Sequence, residues 1–253
     1  MTQLPIILPE WPAPDNIIAF TTTRIGGVSK GEYQGLNLAD HVGDNRVDVE
    51  DNRHQLLSIC EGLDSIKWLQ QVHSITAIEA EKDHTEPADA SYTSQIGIGC
   101  AVMTADCLPL LVCHQDGREV AAIHAGWRGL LDGVIESTIH LMKSTPGELL
   151  VWLGPAISSQ HYEVGPEIHK QFVLHNQQAA SAFTPSEGRK NHFMANLYML
   201  AKQRLEALGV NAVYGGDHCT YTDRNQFYSY RRDGKTGRIA SLIYRKSRNV
   251  LNP

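Results

Sequence analysis

The sequence is short of several things, and each shortage removes a class of protein. Basic residues are few: 22 Lys and Arg stand against 28 Asp and Glu, a formal charge of −6. With no wide basic field to hold a phosphate backbone, no nucleic-acid partner is expected. Long apolar runs are missing too. The longest, such as residues 108–113, fall far short of the ~18 residues of a membrane helix, so no membrane partner is expected either. The first ten residues, MTQLPIILPE, carry no Lys or Arg and are cut by Pro5 and Pro9, unlike a secretory leader. Cysteines number five, at 60, 100, 107, 113 and 219, with no C-x-x-C pair. That pattern fits a reducing compartment better than a disulfide framework, and a cytoplasmic protein is expected.

Low-complexity tracts and repeats are also absent, and no Pro/Gly/Ser linker divides the chain. At 253 residues the chain can bury a core without staples. The pattern predicts strands at 17–22, 67–73, 99–105, 108–114, 119–124, 149–153, 213–214 and 239–244, from β-branched and apolar runs. Helices are predicted at 47–61, 130–143, 166–176 and 196–208, where apolar residues recur at i, i+3 and i+4. A Gly-rich loop, RIGGVSKGEYQG, follows the first strand. The expectation is one α/β domain, residues 1–253, with a mixed β-sheet.

Of twelve histidines, the informative ones sit where strands end, the places at which α/β folds assemble sites. His73 closes KWLQQVH, Cys107 follows CAVMTAD, and His124 closes EVAAIH before the turn AGWRG. Two imidazoles and a thiolate suit zinc and leave one tetrahedral position open. The gaps between them far exceed zinc-finger spacing, so folding must bring them together. His114, His140, His161, His169, His175 and His192 read as structural histidines. Cys113 lies about 20 Å along a straight strand from Cys107 and cannot share its metal; Cys100 fails likewise.

QVH at 71–73, MTADCLPLLVC at 103–113 and VAAIHAGWRG at 120–129 resemble the signatures of the YfiH family. TTRIGGVS at 22–29, GLNL at 35–38, WLGPAI at 152–157, YEVG at 162–165 and SYRRDGKTGR at 229–238 extend the resemblance over nearly the whole chain. This family also goes by laccase-domain, multicopper polyphenol oxidase and peptidoglycan-editing names. The resemblance implies a layered-sandwich fold like that of Cys-His hydrolases, which include bacterial toxin deamidases. It implies Zn2+ held by His73, Cys107 and His124. It also implies phosphorolysis of purine nucleosides (adenosine, inosine, guanosine and methylthioadenosine) and deamination of adenosine.

The sequence holds plausible parts for both reactions. An open zinc site lowers the pKa of water from 15.7 toward ~7, as deamination requires. The H-x-E and P-C-x-x-C signatures of nucleobase deaminases are absent, so any likeness to them would be convergent. Phosphate calls for guanidinium forks, and Arg24, Arg53, Arg128, Arg231 and Arg232 lie beside the motifs, with Arg24, Arg53 and Arg128 the chosen substrate residues. Asp106, Glu163 and Asp217 are the acid or base candidates, although Asp106 reads first as a loop cap or an orienter of a ligand histidine. Trp127 and Tyr33 could stack on a purine or belong to the core.

Two other readings stand beside this one. A copper polyphenol oxidase needs many clustered histidines, and no H-x-H pair exists, although the His2Cys set could hold one Cu2+. A Cys-His hydrolase would use Cys107 as nucleophile and His124 as base on an amide such as a peptidoglycan precursor. The chain is expected to be a monomer or weak homo-oligomer. Replacing Cys107 with Ala should abolish both zinc binding and turnover while leaving the circular dichroism spectrum intact. His114→Ala should leave turnover nearly unchanged, and a large loss there would show that the wrong histidines were chosen.

Overall fold

A computed structural model describes residues 4–247; the outermost residues of the predicted 1–253 domain lie outside the described ones. The strands are β1 (Ile6–Ile7), β2 (Ile17–Thr22), β3 (Ser65–Lys67), β4 (Ala77–Glu79), β5 (Ala90–Thr93), β6 (Ile98–Thr104) and β7 (Leu108–His114). They continue as β8 (Val120–Ala125), β9 (Leu149–Leu153), β10 (Glu163–Val164), β11 (Phe183–Pro185), β12 (Phe193–Ala195), β13 (Ala212–Gly215) and β14 (Ile239–Arg245). Helices are α1 (Arg46–Ser58), α2 (Trp127–Asp132), α3 (Val134–Leu141), α4 (Pro166–His175), α5 (Leu197–Ala207) and α6 (Tyr230–Asp233).

The predicted single mixed sheet is in fact two large sheets and a small one. Five strands run in the order β1-β2-β14-β6-β3 and six in the order β13-β9-β7-β8-β5-β4, with β10-β12-β11 apart. Parallel pairs β9–β13, β3–β6 and β4–β5 sit among antiparallel ones, so both large sheets are mixed. Side chains alternate across each strand, and this divides the core into layers. On β7, Leu108, Leu110 and Val112 face the helices, whereas Leu111 and Cys113 face the other large sheet. Ile17, Val102 and Ile243 meet them from the five-stranded side. The far face of that sheet packs Phe20, Met103 and Leu242 against Leu36, Leu38 and Leu56. The result is a helix–sheet–sheet–helix sandwich. Strands covered on both faces read as continuous apolar runs, which is why β7 and β9 were visible in the sequence.

Two predicted elements differ. The helix expected over 130–143 is broken at Gly133, whose φ of +108° closes α2 and opens α3; a left-handed residue cannot continue a helix. The strand expected at 67–73 stops at Lys67. Beyond it the chain turns to deliver His73, which stands at φ +63°, a conformation no strand tolerates.

The Gly-rich loop is tied down by the fully buried Asn52 of α1. Its Nδ2 donates to Ser29 Oγ (2.9 Å) and Asn37 O (2.8 Å), and its Oδ1 accepts from Val28 N (2.8 Å). Asn52→Ala strands these buried groups without partners. It should cost about 2 kcal/mol in urea denaturation, with little change in the dependence on denaturant.

Candidate metal centre

The hairpin β7–β8 builds two of the three donors. Its register sets Leu108 opposite Ala125 and Pro109 opposite His124, so Cys107 falls opposite Gly126 at the open end. Cys107 lies two residues from Pro109, the partner of His124, so both project to the same side, the one facing the five-stranded sheet. His73 arrives from the turn between β3 and β4. Its Nε2 lies 3.7 Å from Cys107 Sγ, and its ring meets that of His124 edge to face at 4.8 Å. One donor atom from each residue lies within 4.8 Å of the others.

One buried carboxylate holds this geometry. Asp89, just before β5, accepts from His124 Nδ1 at 2.7 Å and from His73 N at 3.0 Å through Oδ1. Its Oδ2 takes Ser74 N (2.6 Å), Ser74 Oγ (2.8 Å) and Val72 N (3.2 Å). The His124 bond fixes the tautomer and leaves Nε2 for the cluster, as metal-binding histidines require. Burial alone would raise the Asp89 carboxyl, but the bonds and charge of His124 and the Ser74 bonds outweigh it and bring it down to about 2.

Gly126 leaves the space at the centre. A Cβ there would stand 2.6 Å from His73 Cδ2 and 3.1 Å from Cys107 Sγ. Burial pushes the Cys107 thiol up, yet His124 and His73 together carry it below the usual thiol range, and Cys107 with Asp89 in turn raises His124. By contrast, burial pushes Cys60 up to about 11 and Cys100 and Cys113 up to about 12, making them inert core thiols. Two imidazoles, a thiolate, a cradle no side chain fills and a carboxylate behind one histidine fit a zinc ion. Among the described residues this is the one group of three or more His, Cys, Asp or Glu that could hold a metal.

The donors open into a cavity of about 440 Å3, within the ~300–1,000 Å3 range of small-molecule sites. Arg128 lines it, stacked on Trp127 at 4.5 Å. Arg231 lines it as well, its Nη1 donating to Glu163 O (2.9 Å). Neither Arg24 nor Arg53 is among the lining residues. Arg24 stands over the Tyr228 ring at 4.6 Å in a wider, shallower depression of about 800 Å3 against the Gly-rich loop, which holds none of the metal donors. Arg53 stacks on Trp68 at 4.4 Å and donates to Leu38 O at 2.9 Å. Arg232 is spent on the backbone carbonyls of Thr220, Tyr221 and Phe227. Asp106 proves to be a loop cap: at φ +99° it accepts from Thr220 Oγ1 (2.7 Å) and Arg231 N (2.6 Å). Glu163 is held by Ser186 Oγ (2.6 Å), and neither it nor Asp217 lines the cavity. Tyr33 is buried, its hydroxyl donating to Val42 O. Among the histidines read as structural, His114 is wholly buried, His161 stacks on Tyr221 and His169 on Phe193.

Sequence reasoning passed over Asp89, Gly126, His41, Tyr162 and Arg238, all in or behind the cavity. Arg238, Tyr162 and Gly126 carried a usable signal, lying in the motifs SYRRDGKTGR, YEVG and VAAIHAGWRG, whereas Asp89 and His41 lie in none of them.

A sandwich of two large sheets with three side chains that could hold a metal at one end of its hairpin defines the class. The chain belongs to the family described as multi-copper polyphenol oxidoreductase laccase, whose model matches residues 18–246. It is 49% identical over 238 residues to a purine nucleoside phosphorylase of Pseudomonas aeruginosa, covering 94% of this chain and 97% of that one. It is 46% identical over 241 residues to the purine nucleoside phosphorylase YfiH of Escherichia coli, covering 94% and 98%. Among solved structures it resembles a Neisseria meningitidis protein at 46% identity and TM-score 0.92, covering 96% of this chain and 99% of that one. YlmD of Geobacillus stearothermophilus follows at 28% and 0.79, covering 92% and 93%. No helix among the described residues is long and apolar enough to cross a membrane.

Asp89→Asn removes the charge behind His124 and should weaken zinc binding by about 10–100-fold, read by competition with a chromophoric chelator. Zinc uptake needs a thiolate and neutral imidazoles, and His124 is raised in the metal-free protein. Uptake near neutral pH should therefore release protons, and affinity should fall as pH falls.

Proposed function

We propose that this chain is a zinc-dependent purine nucleoside phosphorylase that also deaminates adenosine. The observation that carries the reading is the meeting, in one cavity, of the three metal donors with three guanidinium groups and a set of aromatic rings. Cations and planar apolar surfaces are what phosphate and a purine each require, and the relatives' names point to the same pair of substrates.

His73, Cys107 and His124 would hold the zinc, which would supply a Lewis acid to the cavity. The chain's own residues do the rest. Arg128, Arg231 and Arg238 bring positive charge and fork-like donors to the phosphate. Arg231 and Arg238 are fixed beforehand by bonds to Glu163 O and to the carbonyls of Thr236 and Gly237, so little ordering is left for phosphate to impose. Trp127, Tyr162 and Tyr230 offer faces to the base. Burial raises the Tyr162 phenol, which keeps it protonated and a hydrogen-bond donor. Asp89 acts through His124 and the 72–74 turn. A cytoplasmic setting suits the free thiols and the nucleoside substrates.

A single group of three donors among the described residues offers no place for several coppers, so the oxidase mechanism in the family's description is not adopted in this reading. Adenosine incubated with metal-quantified protein should give adenine and ribose 1-phosphate only when phosphate is present, and inosine in its absence. Arg238→Ala should raise KM for phosphate by roughly tenfold or more while KM for the nucleoside moves little. Neither product at full zinc occupancy would overturn the reading and favour amide hydrolysis by Cys107 and His124.

A further inference from the structure

Phosphorolysis breaks the bond between the ribose C1′ and the purine N9. An anionic purine leaves poorly, and a proton delivered to N7 as the bond breaks relieves this. The donor must line the cavity, exchange its proton near neutral pH and be free of other duties. Asp106 has both carboxylate oxygens engaged, by Thr220 Oγ1 and Arg231 N. Guanidinium groups do not give up a proton, and phenols are weak acids at neutral pH. His73 and His124 are metal donors. One further histidine lines the cavity, His41, and imidazole is the side chain suited to this exchange.

The loop carrying His41 is built to hold it. Asn37, fully buried, donates to Ala39 O (3.1 Å) and Asp44 Oδ2 (2.8 Å) and accepts from Ala39 N (3.1 Å). On the other side of His41, Tyr33 Oη donates to Val42 O at 2.6 Å. His41 Nδ1 lies 3.5 Å from Asp40 Oδ1, and Asp40 Oδ2 lies 3.6 Å from Arg53 Nη1. Arg53 itself is locked between Leu38 O and the Trp68 ring. Nδ1 therefore faces an exposed carboxylate that is itself paired with a half-buried guanidinium, and among the described residues nothing engages Nε2.

Resting on the phosphorolysis reading, we propose that His41 is the catalytic acid that protonates the departing purine, with Asp40 and Arg53 as its positioning residues. An oxygen of HPO42− bonds to C1′ while the C1′–N9 bond breaks and its electron pair passes into the purine. His41 Nε2–H gives its proton to N7. The proton lost by phosphate as the ester forms restores the imidazolium, and the products are neutral base and ribose 1-phosphate. Arg53, read from the sequence as a substrate residue, acts on this account at one remove.

The test compares inosine with 7-methylguanosine, whose alkylated N7 already carries the positive charge and needs no proton. His41→Gln keeps the size and a hydrogen-bond donor but cannot pass a proton. Its kcat for inosine should fall about a hundredfold or more with KM little changed, while turnover of 7-methylguanosine stays within a few-fold of the parent. Zinc content and thermal midpoint should be unchanged. Equal losses on both substrates, or a loss on neither, would overturn the role of His41. A parent protein inactive on both would overturn the phosphorolysis reading, and this one with it. His41→Ala read in the same way, with Asp40→Asn giving a smaller loss confined to inosine, separates proton transfer from packing.

Discussion

Asp89 has no exposed surface, yet it carries a charge at the junction of three chain segments. A buried carboxylate is tolerable only when its oxygens are satisfied, and these are satisfied by groups that otherwise would not meet. Its backbone carbonyl accepts from His124 N (2.7 Å), extending the β5–β8 pairing, while its side chain binds the ring of the same histidine. The remaining bonds fold the chain after β3 into the turn that presents His73 at a left-handed φ. Backbone strain of that kind persists only where surrounding bonds over-determine it. The metal donors are thus set by one carboxylate and one hairpin register, with Gly126 keeping the space between them open.

How much of this was legible in the sequence follows from which forces act locally. β2, β7, β9 and β14 were readable because strands buried on both faces leave unbroken apolar runs. The division into two large sheets was not, since pairing partners such as β2 and β14 lie at opposite ends of the chain. His73, Cys107 and His124 were legible because each stands where a predicted strand ends and within a motif, a long one for Cys107 and His124. Asp89 left no trace: it sits in a short polar stretch before a four-residue strand, and its meaning exists only once residues 72–74 fold back on it. The arginines show the same limit. Position beside a motif selected Arg24 and Arg53, whereas the cavity wall is a matter of topology and includes Arg238 from the far end of the chain.

The chemistry also follows from the sandwich. The donors stand at the end of the β7–β8 hairpin, where the loops after β6 and β8 and the segment ending at Arg238 converge on a single cavity. The β7–β8 hairpin and the Asp89-held turn fix the three candidate donors, and loops bring the cations and aromatic rings. Three donors with an open fourth position suit catalysis better than architecture, because structural zinc normally has four protein ligands.

X-ray absorption at the zinc edge of the metal-loaded protein tests this central claim most directly. The account predicts one sulfur at about 2.3 Å, two imidazole nitrogens at about 2.0–2.1 Å and one further light atom, with the sulfur shell lost in Cys107→Ala. A shell without sulfur, or one with two or more sulfurs, would contradict it.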